Sequence, residues 1–484
     1  TSDGGASITE RGIVYSTSAN PTTADTKVVD GAATTGTFTS SLTGLTGSTT
    51  YHIRAYAINS VGTSYGGDSS FTTIDYATVV TATVSGISSS SASGGGDVTS
   101  DGGTSITERG IVYSTASNPT TADTKVIDGA ATTGSYSSSL TGLTAGTLYH
   151  VRAYVINSVG TSYGADSSFT TLANLPTVTT TPASAITGST ASSGGNVTSN
   201  GGGALSERGI VYSTSSNPTT ADTKVVDGAT TTGVFTSSLT GLTGNTVYHI
   251  RAYAINSAGT GYGADTSFNT LYDEPTAQTT AVSFANVTLN GMDINFTSGN
   301  GSNRIVLVKS GSAVSADPVD GTSYTADTVF GNGSQIGSGN YVVYNGTGNT
   351  VTITGLSTAT AYHVAVYEFN GSGSLVNYYT VSPATGNQTT ASNNYRSIAT
   401  GNWSSASTWE VYNGTSWVAA SSAPSSTDGT ITVQSPNVVT VSASVSADQV
   451  TINSGGQITV AASQTLTIAD GTGTDITVAG YLKS

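Results

Sequence analysis

The chain has no cysteine among its 484 residues, so neither disulfide bonds nor thiolate metal sites can stabilise it. Charged residues make up only 8% of the sequence, whereas they make up about 25% of an average soluble protein. No apolar run reaches the roughly 18 residues that a membrane-spanning helix needs, so no such span is expected. Helical periodicity is absent as well, and abundant Gly, Ser and Thr beside 36% hydrophobic residues favour several small all-β cores.

The small charge that remains is acidic. The sequence contains 28 acidic and 13 basic residues, a formal net charge of −15, and no basic run that could follow a phosphate backbone. Nucleic acid is therefore not an expected partner. A surface rich in Thr, Ser and Asn but poor in Lys is typical of secreted bacterial stalks, so we expect an extracellular, cell-surface protein. Residues 1–4 carry no signal peptide, which is expected of an interior piece of a longer chain.

One seven-residue sequence, Glu-Arg-Gly-Ile-Val-Tyr-Ser, occurs three times, beginning at Glu10, Glu108 and Glu207. The copies are separated by 108 − 10 = 98 and 207 − 108 = 99 residues. A period near one hundred is too long for a solenoid coil or a propeller blade and indicates an array of complete small domains. Together with two dissimilar C-terminal stretches, it predicts five domains: residues 1–74, 75–173, 174–272, 273–391 and 392–484.

The second copy shows the pattern of one repeat most clearly. Its short β-prone runs are bounded by Gly, Asn, Pro or Asp, with turn signals about every 8 to 12 residues, which is typical of an antiparallel sandwich. We predict seven strands: Thr78 to Val84, Ala92 to Ser100, Arg109 to Thr115, Thr124 to Ile127, Gly134 to Leu140, Leu148 to Asn157 and Ser162 to Thr171.

Alternation with period two gives the sixth strand one core face and one outer face. In the first copy the core face is predicted to hold Tyr51, Ile53, Ala55 and Ala57, and the outer face His52, Arg54 and Tyr56.

The segment Leu42-Thr43-Gly44-Leu45 before Tyr51, followed by Asn59 and Gly62, resembles the fibronectin type III signature. In that signature a tyrosine corner precedes a strand that ends in Ala-x-Asn-x-x-Gly. The match recurs in the next two copies at Leu143/Tyr149/Asn157/Gly160 and Leu242/Tyr248/Asn256/Gly259. The resemblance implies tandem fibronectin III-like sandwiches in which the tyrosine ring fills the core and its hydroxyl bonds the backbone near the Leu-Thr-Gly-Leu turn.

Two further features follow from this resemblance. The core tryptophan of the second strand is replaced by the run Gly94 to Val98, so Tyr15, Tyr113 and Tyr212 are expected to fill the core position. The tandem units look like modules of very large secreted and surface proteins of Bacteroidota. That likeness implies the type 9 secretion route and an adhesive or gliding role.

The other stretches differ from the complete repeat. The first copy begins about two strands late, and we expect those strands in a preceding part of the protein. Residues 275–390 keep the late-strand pattern but carry an insertion over 319–340, which indicates a diverged fibronectin-like domain with a long loop or an additional hairpin. After residue 394, closely spaced runs predict the start of a parallel β-solenoid, with strands at 430–433, 437–441, 449–452, 457–460 and 465–468.

No residue pattern predicts catalysis. Gly160 to Gly164 matches G-x-S-x-G, but that motif needs a strand-to-helix turn, and the third copy has Gly261 in place of the serine. The four histidines, His52, His150, His249 and His363, fall one to a domain, so they are expected to be solvated sheet residues that share no metal. Glu10, Arg11, Arg54 and Lys27 recur in all three copies and are expected to form cross-strand charge pairs, the alternative being a Lys-Asn or Lys-Asp isopeptide bond assisted by a buried Glu. We therefore expect no enzyme activity, cofactor or metal site.

All three tryptophans, Trp403, Trp409 and Trp417, lie within fifteen residues of one another. Exposed indoles in a row would form a carbohydrate-binding platform, because a flat ring stacks on the apolar face of a sugar. Buried indoles would instead form a hydrophobic plug over the first solenoid coil. Both interpretations stay open at the level of sequence.

The sequence thus predicts a non-enzymatic extracellular stalk or adhesin region of a giant cell-surface or filament protein, which provides reach and display. Expected partners are extracellular or cell-surface ligands such as polysaccharide, the secretion and anchoring machinery, and other copies of the chain. The alternative is a carbohydrate-binding accessory region of a secreted polysaccharide-degrading enzyme.

Overall fold

The computed structural model describes residues 2–412, 416–469 and 474–484, and its regular structure is almost entirely β-strand. Within these ranges the helices are two short 3-10 turns, Gly373–Leu375 and Ala406–Thr408. The described residues include no helix with the length and apolar character needed to cross a membrane. The all-β fold class predicted from the sequence is confirmed.

The three sequence repeats account for the first 21 strands. The first repeat contains β1 (Glu10–Ser16), β2 (Thr26–Asp30), β3 (Thr50–Asn59), β4 (Gly62–Tyr65) and β5 (Ser69–Thr72). The second contains β6 (Thr78–Thr81), β7 (Ser91–Ser100), β8 (Glu108–Ser114), β9 (Thr124–Asp128), β10 (Gly134–Thr141), β11 (Leu148–Ile156), β12 (Thr161–Tyr163) and β13 (Ser167–Thr170). The third contains β14 (Thr177–Ser184), β15 (Thr190–Ser199), β16 (Glu207–Ser213), β17 (Thr223–Val226), β18 (Gly233–Thr240), β19 (Val247–Asn256), β20 (Gly259–Tyr262) and β21 (Thr266–Asn269).

The strands of the second repeat form two antiparallel sheets. One has the order β12-β11-β8-β9, with β13 also paired to β11, and the other has the order β10-β7-β6. Side chains from both sheets, including Val98 and Leu140 from one and Ile111 and Val151 from the other, meet in a single buried core. The third repeat has the same two sheets. The predicted sandwich is therefore confirmed in both complete repeats.

The last predicted strand, residues 162–171, is wrong as a continuous element, because β12 and β13 are separated by residues 164–166. The Thr81 hydroxyl donates to the carbonyl of Ala165 at 2.7 Å, and the Arg152 guanidinium donates to the carbonyl of Gly164 at 2.9 Å. These side chains occupy backbone acceptors that a continuous ladder would have used.

The glycine-rich strands β7 and β15 pack closely against the opposite sheet of their sandwiches. A Cβ atom on Gly96 would stand 2.6 Å from the Ala153 Cβ, and one on Gly195 would stand 2.4 Å from the Ala252 Cβ. No large side chain fits at these positions, which accounts for the missing tryptophan. Tyr113 does not take its place at the centre of the core, where Ile111 lies, but packs half-buried at the core's edge.

Among its described residues the first repeat has only the five-stranded sheet, in the order β2-β1-β3-β4 with β5 paired to β3. Residues 38–43 have the sequence Phe-Thr-Ser-Ser-Leu-Thr, which is identical to residues 235–240 of strand β18. Strand β18 is held by pairing to β15, and the described part of the first repeat contains no counterpart of β15. Residues 38–43 form no strand there, because a strand needs a ladder partner.

A fourth sandwich follows, with the strands β22 (Thr280–Ala285), β23 (Gly291–Thr297), β24 (Asn303–Ser310), β25 (Tyr341–Gly346), β26 (Thr350–Thr354), β27 (Ala361–Asn370), β28 (Asn377–Tyr378) and β29 (Ala384–Thr389). Its sheets have the orders β22-β23-β26 and β25-β24-β27-β28, with β29 paired to β27. The insertion at 319–340 is a long loop with isolated bridges, not a hairpin of two strands. It packs Tyr324 and Ile336 against the outer sheet face to form a second small core.

The C-terminal segment contains β30 (Asn394–Ser397), β31 (Gly401–Asn402), β32 (Trp409–Tyr412), β33 (Trp417–Ala419), β34 (Ile431–Val433), β35 (Val438–Val441), β36 (Val445–Ala447), β37 (Val450–Ile452), β38 (Gln457–Val460), β39 (Leu466–Ile468), β40 (Ile476–Val478) and β41 (Tyr481–Lys483). Three parallel stacks run through it: β30-β34-β37-β40, β31-β35-β38-β41 and β36-β39. Parallel stacking of short strands fits the predicted solenoid coils. Strand β36, which was not predicted from the sequence, has only three residues.

Candidate functional site

The outer face of the five-stranded sheet is covered by the loop between β8 and β9. The Tyr163 hydroxyl accepts a hydrogen bond from the backbone N–H of Thr121 at 2.9 Å. Beside it the Arg152 guanidinium lies 4.6 Å from the centre of the Tyr163 ring. The same contacts occur in the first and third repeats, with Tyr65 and Tyr262. The outer face is thus a second packed layer.

His150 belongs to this layer and not to a solvated surface as predicted. Its Nδ1 lies 2.9 Å from a carboxylate oxygen of Asp166, and the same oxygen accepts from the backbone N–H of Asn118 at 3.0 Å. Only 22% of the histidine side chain is exposed. The pairs His52–Asp68 and His249–Asp265 have the same geometry. These histidines hold the loop against the sheet.

Glu108 joins Lys125 and Tyr154 on the same face. Its Oε1 accepts from the Lys125 Nζ at 2.8 Å and from the Tyr154 hydroxyl at 2.7 Å. The hydrogen bond from Lys125, followed by that from Tyr154, lowers the pKa of Glu108. Burial, together with this carboxylate, raises the pKa of Tyr154. This contact is a cross-strand charge pair of the predicted kind. Tyr154 lies on the outer face, as predicted for its counterpart Tyr56, but the layer that covers this face leaves it fully buried.

A buried arginine anchors the loop that follows β9. The Arg109 Nε donates to the Asp128 carboxylate at 2.7 Å, and its Nη1 donates to the Thr132 carbonyl at 2.6 Å. The guanidinium also lies over the ring of Tyr136 at 4.8 Å. Arg11 and Arg208 make the equivalent ion pairs. The sequence singled out the repeated arginine but not its carboxylate partner nineteen residues on.

The corner tyrosines are placed as the signature implies. The hydroxyl of Tyr149 accepts from the backbone N–H of Thr144 at 3.1 Å, directly after the Leu-Thr-Gly-Leu turn. The corner recurs at Tyr51, Tyr248 and Tyr362, whose hydroxyls accept from the backbone at 2.8 to 3.1 Å. The corner bond predicted for the three repeats is therefore confirmed, and Tyr362 shows that the diverged domain has it as well.

The fourth sandwich contains a buried carboxylate that the sequence gave no reason to select. Glu368 is fully buried, and its Oε1 accepts from the Arg304 Nε at 3.0 Å, the Thr279 hydroxyl at 2.6 Å and the Gly299 N–H at 2.7 Å. Its other oxygen is buried without a partner among the described residues. The group is a structural ion pair in the interior.

Trp403 and Trp409 lie inside the core of the C-terminal segment, with 1% and 0% of their surface exposed. Their rings are 5.1 Å apart, and the Trp409 indole N–H donates to the Trp403 carbonyl at 2.8 Å. Trp417 is half-buried beneath the guanidinium of Arg396, which is 4.5 Å from the ring. A sugar platform needs exposed ring faces, whereas a plug needs the buried positions that Trp403 and Trp409 occupy.

The serine of the G-x-S-x-G match lies in an antiparallel ladder. Ser162 pairs with Val155 across β11 and β12, so the local structure is a hairpin and not a strand-to-helix turn. No group of three His, Asp or Glu side chains that could hold a metal ion occurs in the part of the chain that the structure describes.

The junctions between successive units repeat one contact. The Asn157 side-chain amide donates to the carbonyl of Asp75 at 2.7 Å, in the linker before the second repeat, and to the carbonyl of Asp101 at 2.9 Å. The Asp75 N–H in turn donates to the Gly102 carbonyl at 2.8 Å, so both backbone groups of Asp75 are bonded to the second repeat. Asn157 is the asparagine of the fibronectin-like signature.

The next two junctions use the same chemistry. Asn256 donates to the carbonyls of Asn174 and Asn200, each at 2.7 Å. Before the fourth sandwich, Asn370 donates to the Asp273 carbonyl at 2.8 Å, and Asn377 donates to the Tyr272 carbonyl at 2.7 Å. Each linker backbone is thus held by side chains of the unit that follows it.

Comparisons with known proteins give a limited result. No protein-family model matches the chain. No curated protein matches it either. Among solved structures, it is similar to the crystal structure of the chicken CNTN1 FN1-FN3 domains at 14% identity, with a TM-score of 0.28. That alignment covers 64% of this chain and 96% of the chicken chain. The assignment of the sandwich fold rests on the strand order and register described above.

Proposed function

We propose that this chain is a non-enzymatic extracellular spacer, in which tandem sandwiches joined by stiff junctions carry a solenoid segment and display it at a distance. The observation that carries the proposal is the repeated asparagine clamp at the junctions. Each amide bonds one carbonyl in the linker and one in its own unit, so it fixes the linker against the unit that follows it and restricts rotation at the junction.

The proposed units are residues 1–74, 75–173, 174–272, 273–391 and 392–484. If each unit contributes a strand of about ten residues at roughly 3.3 Å per residue, five units in line would reach about 150 Å. Reach of this kind suits a stalk or adhesin at the cell surface. The likeness of the repeats to modules of Bacteroidota surface proteins supports secretion by the type 9 route and anchoring in a larger adhesin or filament.

Small-angle X-ray scattering of the whole chain tests the proposal. We expect an extended particle whose maximum dimension is on the order of 150 Å, as the strand geometry implies. The double variant Asn157→Ala/Asn256→Ala should broaden the distribution of interatomic distances, because two clamps are lost.

Asn59→Ala is the matched control, since the Asn59 amide bonds the Asp3 carbonyl within its own repeat and no linker carbonyl in the described residues. Its scattering should equal that of the parent chain. A compact particle, or equal changes in the double variant and in the control, would refute the spacer.

A further inference from the structure

An open cleft of about 600 Å³ lies at one end of the third repeat, between the end of β16 and the start of β17. Its volume is in the range of small-ligand sites. Its lining combines two aromatic rings, hydroxyl groups and one carboxylate, contributed by Tyr212, Ser213, Thr214, Asp222, Thr223 and Tyr248.

The same cleft occurs in the first repeat, with a volume of about 500 Å³. Its lining residues are the exact counterparts, including Tyr15, Asp25 and Tyr51. The second repeat carries the same residue types at Tyr113, Ser114, Thr115, Asp123, Thr124 and Tyr149. The array therefore presents one such constellation per repeat, at intervals of 98 and 99 residues.

In each repeat one tyrosine hydroxyl makes no hydrogen bond within the described residues. In the second repeat the hydroxyls of Tyr149, Tyr154 and Tyr163 bond to Thr144, Glu108 and Thr121, respectively. The hydroxyls of Tyr15, Tyr113 and Tyr212 make no hydrogen bond with any residue in the described ranges. Each of these rings is half-buried and held edge-on against the corner tyrosine at about 6 Å. The ring is fixed while its hydroxyl stays available.

The carboxylate at the cleft is also held in place. One oxygen of Asp222 accepts from the backbone N–H of Thr219 at 2.8 Å and from the Thr219 hydroxyl at 3.2 Å. In the first repeat the corresponding backbone hydrogen bond from Thr22 lowers the pKa of Asp25, although burial acts in the opposite direction. The cleft thus offers a fixed anionic acceptor, neighbouring hydroxyls and a rigid aromatic ring.

We propose that this set of residues binds neutral polysaccharide in all three repeats, one site per repeat. Adjacent sugar hydroxyls suit a carboxylate and hydroxyl set, and the apolar face of a sugar ring suits a tyrosine ring. Anionic glycans are disfavoured by the cleft carboxylate and by the net charge of −15. Three weak sites on one chain would act together on a polymer, with an avidity well above that of one cleft. This activity goes beyond the spacer role and does not depend on it.

Affinity electrophoresis of the whole chain through gels that contain mixed-linkage β-glucan, glucomannan or dextran tests the inference. We expect saturable retardation by at least one of these neutral polymers. The triple variant Tyr15→Phe/Tyr113→Phe/Tyr212→Phe keeps every ring but removes the free hydroxyls. Each lost hydrogen bond should weaken a cleft about fivefold, so the triple variant should lose most of the retardation.

Tyr76→Phe is the control, because Tyr76 is 52% exposed and lies outside the clefts. Circular dichroism of the triple variant confirms that it is folded. Absence of retardation by all three polymers, or equal retardation of the triple variant and the control, would overturn the inference. Loss of binding in Trp417→Ala with the triple variant unaffected would do so as well, since it would place sugar binding in the C-terminal segment. None of these results would alter the scattering test of the spacer.

Discussion

At the scale of single residues, the tyrosines of each repeat divide according to what their hydroxyls bind. One closes the corner, one bonds a glutamate on the outer face, and one holds the loop that joins β8 to β9 in the second repeat. The fourth, Tyr113 in the second repeat, is the counterpart of Tyr15 and Tyr212, which line the clefts of the first and third repeats. The four tyrosine positions that all three repeats share therefore have four different environments.

The corner tyrosine and the histidine beside it should differ in their effect on stability. Tyr248→Ala removes a ring from the core and should lower the free energy of unfolding of the third repeat by about 3 kcal/mol or more. His249→Ala removes the partner of Asp265, whose other oxygen is already buried without a hydrogen bond, and should lower it by about 1 kcal/mol. Hydrogen exchange of the third repeat in urea measures both. Equal losses would contradict the assignment of Tyr248 to the core face.

Alkaline pH should destabilise the second repeat in part through ionisation of Tyr136. Burial raises the pKa of Tyr136 to about 12, and its hydroxyl donates to the Gly110 carbonyl at 2.6 Å. Because the folded state favours the protonated phenol, its contribution is complete below the unfolded pKa of about 10 and is lost as the pH rises toward 12.

Tyr136→Phe should therefore lower the melting temperature of the second repeat at pH 8, through the lost hydrogen bond, but reduce its further fall between pH 8 and pH 11. The third repeat has Phe235 at this position and serves as the internal control in the same calorimetric scan. An equal fall with pH in parent and variant would show that Tyr136 does not titrate with unfolding.

At the scale of elements, the glycine-rich strand sets the distance between the two sheets. A Cβ atom on Gly195 would stand 2.4 Å from the Ala252 Cβ and 2.7 Å from the Thr179 carbonyl oxygen. The backbone oxygen cannot move away without breaking the ladder, so added volume must separate the sheets.

Gly195→Val should consequently destabilise the third repeat by about 3 kcal/mol, at the upper end of the usual cost of overpacking. Gly228→Val is the matched control, because nothing lies within 4 Å of a Cβ built on Gly228. Chemical denaturation followed by tyrosine fluorescence compares the two. A stable Gly195→Val variant would mean that the sheets are farther apart than the structure shows.

At the scale of the whole molecule, the junctions decide whether a series of sandwiches behaves as one spacer. Gly202 in the third repeat meets the loop of the second, where a Cβ atom on Gly202 would stand 2.4 Å from the Ala145 carbonyl oxygen. Gly202 also has a φ of +86°, which L side chains rarely adopt. This contact lies beside the Asn256 clamp and stiffens the same junction.

Gly202→Val should loosen that junction. Because the chain has no cysteine, cysteines introduced at the exposed positions Ser117 and Ser216 can be labelled without background. Energy transfer between single pairs of dyes should give a broader distance distribution in Gly202→Val than in the parent chain. Gly228→Val, which is away from the junction, should leave the distribution unchanged. Equal widths in all three proteins would contradict the stiff junction.

Much of the fold could be predicted from local patterns. The spacing of the repeated Glu-Arg-Gly-Ile-Val-Tyr-Ser sequence marked the repeats, and alternation and turn residues located most strands of the second repeat within one or two residues, because those signals act over a few neighbours. The corner tyrosine could be predicted from the sequence for the same reason, since its hydroxyl bonds the backbone only five residues earlier.

The remaining features depend on contacts between distant residues. His150 was expected in solvent, but the loop between β8 and β9, about thirty residues earlier, covers the sheet there. Asp166 accepts a hydrogen bond from the backbone of this loop and pairs with His150. The lining of each cleft comes from segments that are distant in the sequence, and period-two alternation within one strand does not show that such segments meet. Phe-Thr-Ser-Ser-Leu-Thr is a strand at 235–240 and not at 38–43, although the two sequences are identical. Composition and periodicity thus determined which segments could be strands, whereas tertiary structure decided which of them formed, because a ladder requires hydrogen bonds from a partner strand.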